Sequence, residues 1–170
     1  MMRKNALKYQ GKIVSVGIET TQLPNGHICD LEVVHHPGGA AVVAQDRQQR
    51  ICLIRQYRHV AGDWLWELPA GKIDQNENPL LTAQRELEEE TGVIAAQWTK
   101  LGSIYSSPGV FQEIIHLYQA TDLSLGQQRL GDDEAIEVHW IEREQALDWV
   151  KTNQISDAKT IAGLFFACVN

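Results

Sequence analysis

Between Gly71 and Val93 the chain reads GKIDQNENPLLTAQRELEEETGV, which gathers five glutamates and one arginine in a short stretch. Glu86, Glu89 and Glu90 recur three and four apart, the spacing that stacks side chains on one face of a helix. Carboxylates placed this way repel each other by roughly a few tenths of a kcal/mol per pair. A divalent cation turns that repulsion into ligation. Hard cations such as Mg²⁺ take oxygen ligands and keep several waters, which leaves positions for substrate phosphate oxygens. The ordinary alternative for a Glu-rich helix is a solvated acidic face that holds nothing.

The neighbouring residues say how such a helix is built. Asn78 suits an N-cap, Pro79 the first helical position and Gly92 the residue just past the end, so the helix is predicted over Pro79 to Thr91. Leu80, Ala83 and Leu87 form an apolar face that buries against a sheet, which leaves Glu86 and Glu90 on the exposed face. Upstream, Trp64, Trp66 and Leu68 alternate with Leu65 and Glu67, the periodicity of a strand. Pro69 and Gly71 then bend the chain, and a bend of this kind can leave the Ala70 carbonyl unpaired and available to a hard cation.

The stretch resembles the Nudix box: Gly, five residues, Glu, seven residues, Arg-Glu, an aliphatic, any residue, Glu-Glu, any residue, Gly, an aliphatic. Gly71, Glu77, Arg85, Glu86, Leu87, Glu89, Glu90, Gly92 and Val93 fill every slot. With each fixed residue type at roughly 5–7% usage, a chance match in one chain is rarer than about one in a million. The resemblance implies an α/β (α+β) fold with a mixed β-sheet sandwiched between helices, and hydrolysis of nucleoside diphosphates linked to another moiety. It also implies Mg²⁺, with Mn²⁺ as a substitute. Carried over, Glu86 and Glu90 are the primary metal ligands, the Ala70 carbonyl a further one, and Glu89 a supporting ligand or water activator. Arg85 orients the glutamates, while Glu77 and Gly71 mainly hold the loop in shape.

The flanks resemble the ADP-ribose pyrophosphatase branch of that family. They match its proline after the box (Pro108, in SSPG), the glutamate shortly after (Glu113), an arginine ending the strand before the box (Arg58) and an acidic loop before a late strand (Asp132 to Val138). By this resemblance Arg58 holds a phosphate, Glu113 contacts the substrate ribose, and Glu134 ligates metal or acts as base, with Asp132 the competing candidate. Val110 and Phe111 depart from the small polar residues often found after that proline, and nucleotide-sugar pyrophosphatases share the proline and the acidic loop. ADP-ribose hydrolysis to AMP and ribose 5-phosphate is therefore the first expectation, and hydrolysis of other nucleoside diphosphate sugars such as GDP-mannose the second. A reading of another class, a Nudix module that binds nucleotide without cleaving it, would be expected to lack a ligand glutamate, and none is missing.

The rest of the chain reads as scaffold. Lys12 to Thr21 and His27 to His36 flank the turn LPNG and form a hairpin within residues 1–37, a unit that in this branch pairs across a homodimer; the catalytic domain is expected over 38–170. His35 and His36, being adjacent, point to opposite faces and serve as polar residues at a strand end. Ala40 to Ala44 and Ile51 to Ile54 are buried strands. Trp98 to Tyr105 and Glu113 to Tyr118 are strands around the SSPG turn. A surface loop is expected over Ser124 to Asp133, a strand over Ala135 to Ile141, and helices over Arg143 to Thr152 and Asp157 to Val169. A net charge of −7 argues against nucleic-acid or anionic-membrane partners but not against a small anionic substrate. Three widely spaced cysteines and no apolar run long enough to span a bilayer fit a soluble cytoplasmic protein with reduced, mostly buried thiols.

Overall fold

The structure, a computed structural model, describes residues 4–132 and 134–169. Its innermost strand is β4 (Gly39–Ala44), all six residues of which are buried. β4 pairs antiparallel with β7 (Ala70–Lys72) and parallel with β10 (Ile114–Leu125), and β10 carries β8 (Val93–Tyr105) antiparallel on its far side. Side chains alternate across a strand, so β4 feeds two cores. Ala40, Val42 and Ala44 cluster with Ala83 and Leu87 of α1 (Pro79–Thr91), while Ala41 and Val43 cluster with Leu117 and with Leu164 of α3 (Ala158–Val169). The expected mixed sheet between helices is what the chain forms.

A second sheet is antiparallel, with β5 (Arg50–Arg58) between β11 (Ile136–Glu142) and β6 (Asp63–Glu67). It divides in the same way. Cys52 joins the α1 core, and Ile51 and Leu53 join the other with Ala146 of α2 (Arg143–Lys151).

The expected N-terminal hairpin is β2 (Ser15–Gln22) and β3 (Ile28–His35), turning through Leu23 to Gly26. It is the middle of a larger sheet. β1 (Lys4–Gln10) adds to one side, and β9 (Phe111–Gln112) adds in parallel to the other, helped by Val34 N–H donating to Val110 at 2.8 Å. The N-terminal sheet is thereby tied to the segment between β8 and β10.

Three expectations need correction. β8 and β10 extend well past the predicted strands: Ser124 and Leu125 pair with Ile94 and Val93, so the loop begins only at Gly126. Cross-strand hydrogen bonding outweighed the polar composition that suggested a loop there. Asp133, in that loop, lies outside the described residues. The thiols are not mostly buried, since only Cys52 is buried and Cys168 is exposed. Burial pushes the Cys52 thiol up to about 12, which leaves it unreactive. Among the described residues no helix is long and apolar enough to cross a membrane.

α1 begins and ends where its caps dictate. Asn78 Oδ1 accepts from Leu80 N–H at 2.9 Å, and Gly92, at φ 69°, donates to Glu88 at 2.8 Å in the left-handed conformation that glycine adopts without Cβ strain. Asn78→Ala is expected to destabilise the protein by about 1 kcal/mol, lowering Tm by about 2–4 °C in a thermal melt, without altering the fold.

Candidate active site

Glu86 and Glu90 are not on an exposed face: they are 9% and 2% exposed. The reason is their position on the helix. Both border the Ala83–Leu87 stripe, and β7 covers that border. The Glu86 carboxyl rests against Gly71, where an added Cβ would fall 1.9 Å from Glu86 Cδ. Gly71 therefore does more than shape the loop, because its missing side chain is the space that Glu86 occupies. Glu90 Oε2 accepts from Ala70 N–H at 2.8 Å.

The register of β7 explains why Ala70 is available. Val42 N–H donates to Pro69 at 2.9 Å, and Ala41 lies opposite Ala70. Hydrogen-bonded and non-bonded pairs alternate in an antiparallel ladder, so the Ala70 N–H and C=O both turn away from β4. The N–H meets Glu90, and the carbonyl faces the same side.

Arg85 spans the outer carboxylates. It donates to both Glu77 oxygens at 3.2 and 3.0 Å, to Glu86 at 2.7 Å, to Glu89 at 3.1 Å and to the Lys72 carbonyl at 3.3 Å. These bonds, with a contribution from Thr82, hold the Glu77 carboxyl down at about 2. A second knot was not read from the sequence. Glu67, 1% exposed, accepts from Arg58 Nε and Nη2 at 2.7 and 2.8 Å and is also contacted by Lys159, which lies 3.1 Å from Asp157. Burial opposes ionisation of Glu67, but Arg58 and Lys159 outweigh it and keep the carboxyl below its ordinary range. Thr160 fastens this end of α3 to the strand turn: its hydroxyl accepts from Leu68 N–H at 2.8 Å and donates to Asp157 at 2.6 Å.

The two knots flank a cleft of about 400 Å³ lined by Gln56, Arg58, Ala70, Glu86, Glu90 and Glu134. It adjoins a cavity of about 350 Å³ that shares Arg58, Ala70, Gly71 and Lys72 and adds Glu113 and Lys159. Glu134 is held on its loop by Gly131 N–H, which donates to Oε2 at 2.8 Å. Of the residues singled out in the sequence, the cleft and cavity bring together Ala70, Glu86, Glu90, Glu134, Arg58 and Glu113, with Arg85 at the edge. Glu89 is turned to Arg85. Pro108 sits exposed on a turn closed by Phe111 N–H to Ser107, and Asp132 is exposed on the late loop, so neither lines the cleft. His36 was read only as a strand-end residue, yet its Nδ1 lies 3.1 Å from Glu113 and it lines the cavity. The signal for the second knot in the sequence is a glutamate, Glu67, set in the apolar run WLWELP, where an ionised side chain needs a partner.

Burial raises the pKa of Glu86, against the pull of Arg85. Burial also pushes Glu90 up to about 8, with Glu86 and Glu134 adding to the rise against the Ala70 N–H bond. Among the described residues no three His, Cys, Asp or Glu side chains are already gathered in ligand geometry. Glu86 and Glu89 are taken up by Arg85 and Glu90 by Ala70. The donor set nevertheless fits a hard divalent cation: it is all oxygen, it includes a carbonyl turned out of the sheet, and its buried carboxylates resist ionising beside one another without a counter-charge.

Residues 35–164 match the family model for the NUDIX domain. The chain belongs to the Nudix family. It is 40% identical over 154 residues to an ADP-ribose pyrophosphatase of Bacillus subtilis (strain 168), covering 89% of this chain and 83% of that one. It is 39% identical to a methanol dehydrogenase activator of Bacillus methanolicus (90% and 84% covered) and 31% identical to a GDP-mannose pyrophosphatase of Enterobacter sp. (strain 638) (76% and 73% covered). A crystal structure of an ADP compounds hydrolase superposes with a TM-score of 0.82 at 20% identity, covering 99% of this chain and 94% of that one, which shows the shared fold. Nudix hydrolases generally need a divalent metal.

Two outcomes are expected for this Nudix hydrolase. In the folded, metal-free chain Glu90 keeps its proton up to about 8, whereas in the unfolded chain it loses it near 4.5. The folded state therefore holds more protons in that window, and its stability falls as pH rises through it. Melting curves in EDTA should show that decline, and Glu90→Gln or added divalent metal should flatten it. Gly71→Ala should fold but displace the Glu86 carboxyl, lowering kcat by about 100-fold, read by steady-state kinetics beside an unchanged circular dichroism spectrum.

Proposed function

We propose that this Nudix hydrolase cleaves the diphosphate linkage of ADP-ribose to AMP and ribose 5-phosphate, with Mg²⁺ as its metal and Mn²⁺ as a substitute. The observation that carries this reading is the meeting of carboxylates and cations where two spaces join. A cleft walled by Glu86, Glu90 and Glu134 shares Arg58 and Lys72 with a cavity that adds Lys159. Such a pair suits a diphosphate whose metal-bound oxygens lie against the carboxylates and whose remaining charge lies against the cations. The similarity to the Bacillus subtilis ADP-ribose pyrophosphatase supports the choice of substrate.

Glu86, Glu90 and the Ala70 carbonyl would hold the metal, joined by Glu89 once its bond to Arg85 loosens. Bound there, the metal supplies charge neutralisation at the diphosphate and a more acidic water. With Nε and Nη2 committed to Glu67, Arg58 offers Nη1 to a phosphate oxygen. Glu113 accepts a ribose hydroxyl. Glu134, on a loop and so free to adjust, takes the proton of the attacking water, whose oxygen ends on one phosphorus as the bond to the bridging oxygen breaks. Asp132 and Pro108 take no direct part in this reading. Residues 38–170 form the catalytic domain, and residues 1–37 are proposed as a dimer-forming arm, since Leu7, Tyr9, Ile28 and Leu31 are exposed on the N-terminal sheet. A cytoplasmic homodimer with a small nucleotide as substrate, and neither nucleic acid nor membrane as partner, fits the net charge of −7.

A second reading, hydrolysis of GDP-mannose or another nucleoside diphosphate sugar, is favoured by the similarity to the Enterobacter GDP-mannose pyrophosphatase. The two are separated by kcat/KM for ADP-ribose, GDP-mannose, UDP-glucose, diadenosine polyphosphates and nucleoside triphosphates with Mg²⁺, with products identified. ADP-ribose is expected to lead and to give AMP. A sugar-nucleotide preference would install the second reading, no turnover of any of them would return the chain to a binding role, and turnover that survives excess EDTA would remove the metal from the mechanism. Glu134→Gln should lower kcat by about 100-fold or more with KM little changed.

A further inference from the structure

Gln56 lies on β5 between Ile54 and Arg58 on the same face of the strand, opposite Leu65 of β6 and Ile136 of β11. It is 6% exposed, and it lines the cleft beside Glu86, Glu90 and Glu134. Its side-chain oxygen Oε1 is sealed and meets no hydrogen-bond donor. Leaving such a group unsatisfied costs about 1–3 kcal/mol, whereas an apolar side chain of the same shape would incur no such cost. The fold gives no reason for an amide at this position. The cleft does.

The surroundings narrow what the amide meets. With a divalent cation bound among them, Glu86, Glu90 and Glu134 are ionised and only accept, as does a diphosphate, so none of them donates to Oε1. Among the cations that line the cleft, Arg85 is bonded to Glu77, Glu86 and Glu89, Lys72 contacts Asp74, and Arg58 has Nε and Nη2 committed to Glu67 and gives Nη1 to phosphate in the reading above. The donor left for the amide oxygen is water. A half-turn about the last side-chain bond exchanges Oε1 and Nε2, so the carboxamide can present its oxygen to the cleft. We propose that Gln56 is a positioning residue that accepts a hydrogen bond from the water held between the cleft carboxylates, turning the oxygen lone pairs of that water toward the diphosphate. This rests on the hydrolytic reading of the cleft given above.

Gln56→Met keeps the length of the side chain and removes the amide. The expected result is a Tm in EDTA equal to or above that of the parent, an Mg²⁺-dependent rise in Tm that persists, and a kcat at least about tenfold lower with KM for ADP-ribose within about twofold. Gln56→Asn, which withdraws the amide by one methylene, should lose kcat in the same way. Three results would overturn the proposal. A Gln56→Met protein that melts several degrees lower or fails to fold would make the amide structural. Unchanged kcat would leave it without a water to hold. Loss of the Mg²⁺-dependent Tm rise would make it part of the metal site. If the parent favours another nucleotide from the substrate panel, the same comparison is made on that substrate, so an error in the substrate leaves the role of Gln56 separately decided.

Discussion

Two carboxylates that would rather be in water are held at the seam between a helix and a three-residue strand, and the rest of the molecule is arranged around that placement. Glu86 and Glu90 have the helical spacing that makes like charges neighbours, and both are taken out of solvent by β7. Neither the helix nor the sheet accounts for this alone. It follows from the fit between them: α1 lies close enough that any side chain at Gly71 would displace the Glu86 carboxyl, and Glu90 reaches a backbone N–H that the ladder leaves free.

Such a seam needs counter-charge, and the fold supplies it from two directions without closing the cleft. Arg85 reaches in from the solvent side and gathers Glu77, Glu86 and Glu89. Arg58 and Lys159 converge from the opposite side on Glu67, a carboxylate so buried that losing either partner would strand its charge. The cations on this second side are therefore pre-oriented by a residue that faces the protein interior, so the cavity can present positive charge at a fixed position.

How far the sequence foretold this depends on which physical signal each part carries. Local signals carried furthest: Asn78, Pro79 and Gly92 bound α1 as read, and the short continuous apolar runs of Ala40 to Ala44 and Ile51 to Ile54 gave buried strands. The mixed sheet between helices followed from the resemblance of the glutamate stretch to the Nudix box. What failed depended on contacts distant in the chain. The burial of Glu86 and Glu90 is decided by β7, not by the helical wheel. The extension of β8 and β10 is decided by their pairing with each other, which the polar residues near Ser124 concealed. The Glu67 knot joins residues 92 apart, between Glu67 and Lys159, and no local period reports it. His36 and its neighbour His35 point to opposite faces of the strand, and no spacing in the sequence reports that Glu113 is the partner of His36 across the fold.

β7 is the outermost strand of its sheet, and the backbone groups on its outer side are the kind that invite another strand to add on. Glu90 occupies the Ala70 N–H there, and the buried acidic side chains crowd the space an incoming strand would need. The same carboxylates that equip the cleft thus guard an open sheet edge against self-association, so substitutions that neutralise them bear on colloidal behaviour as well as on turnover.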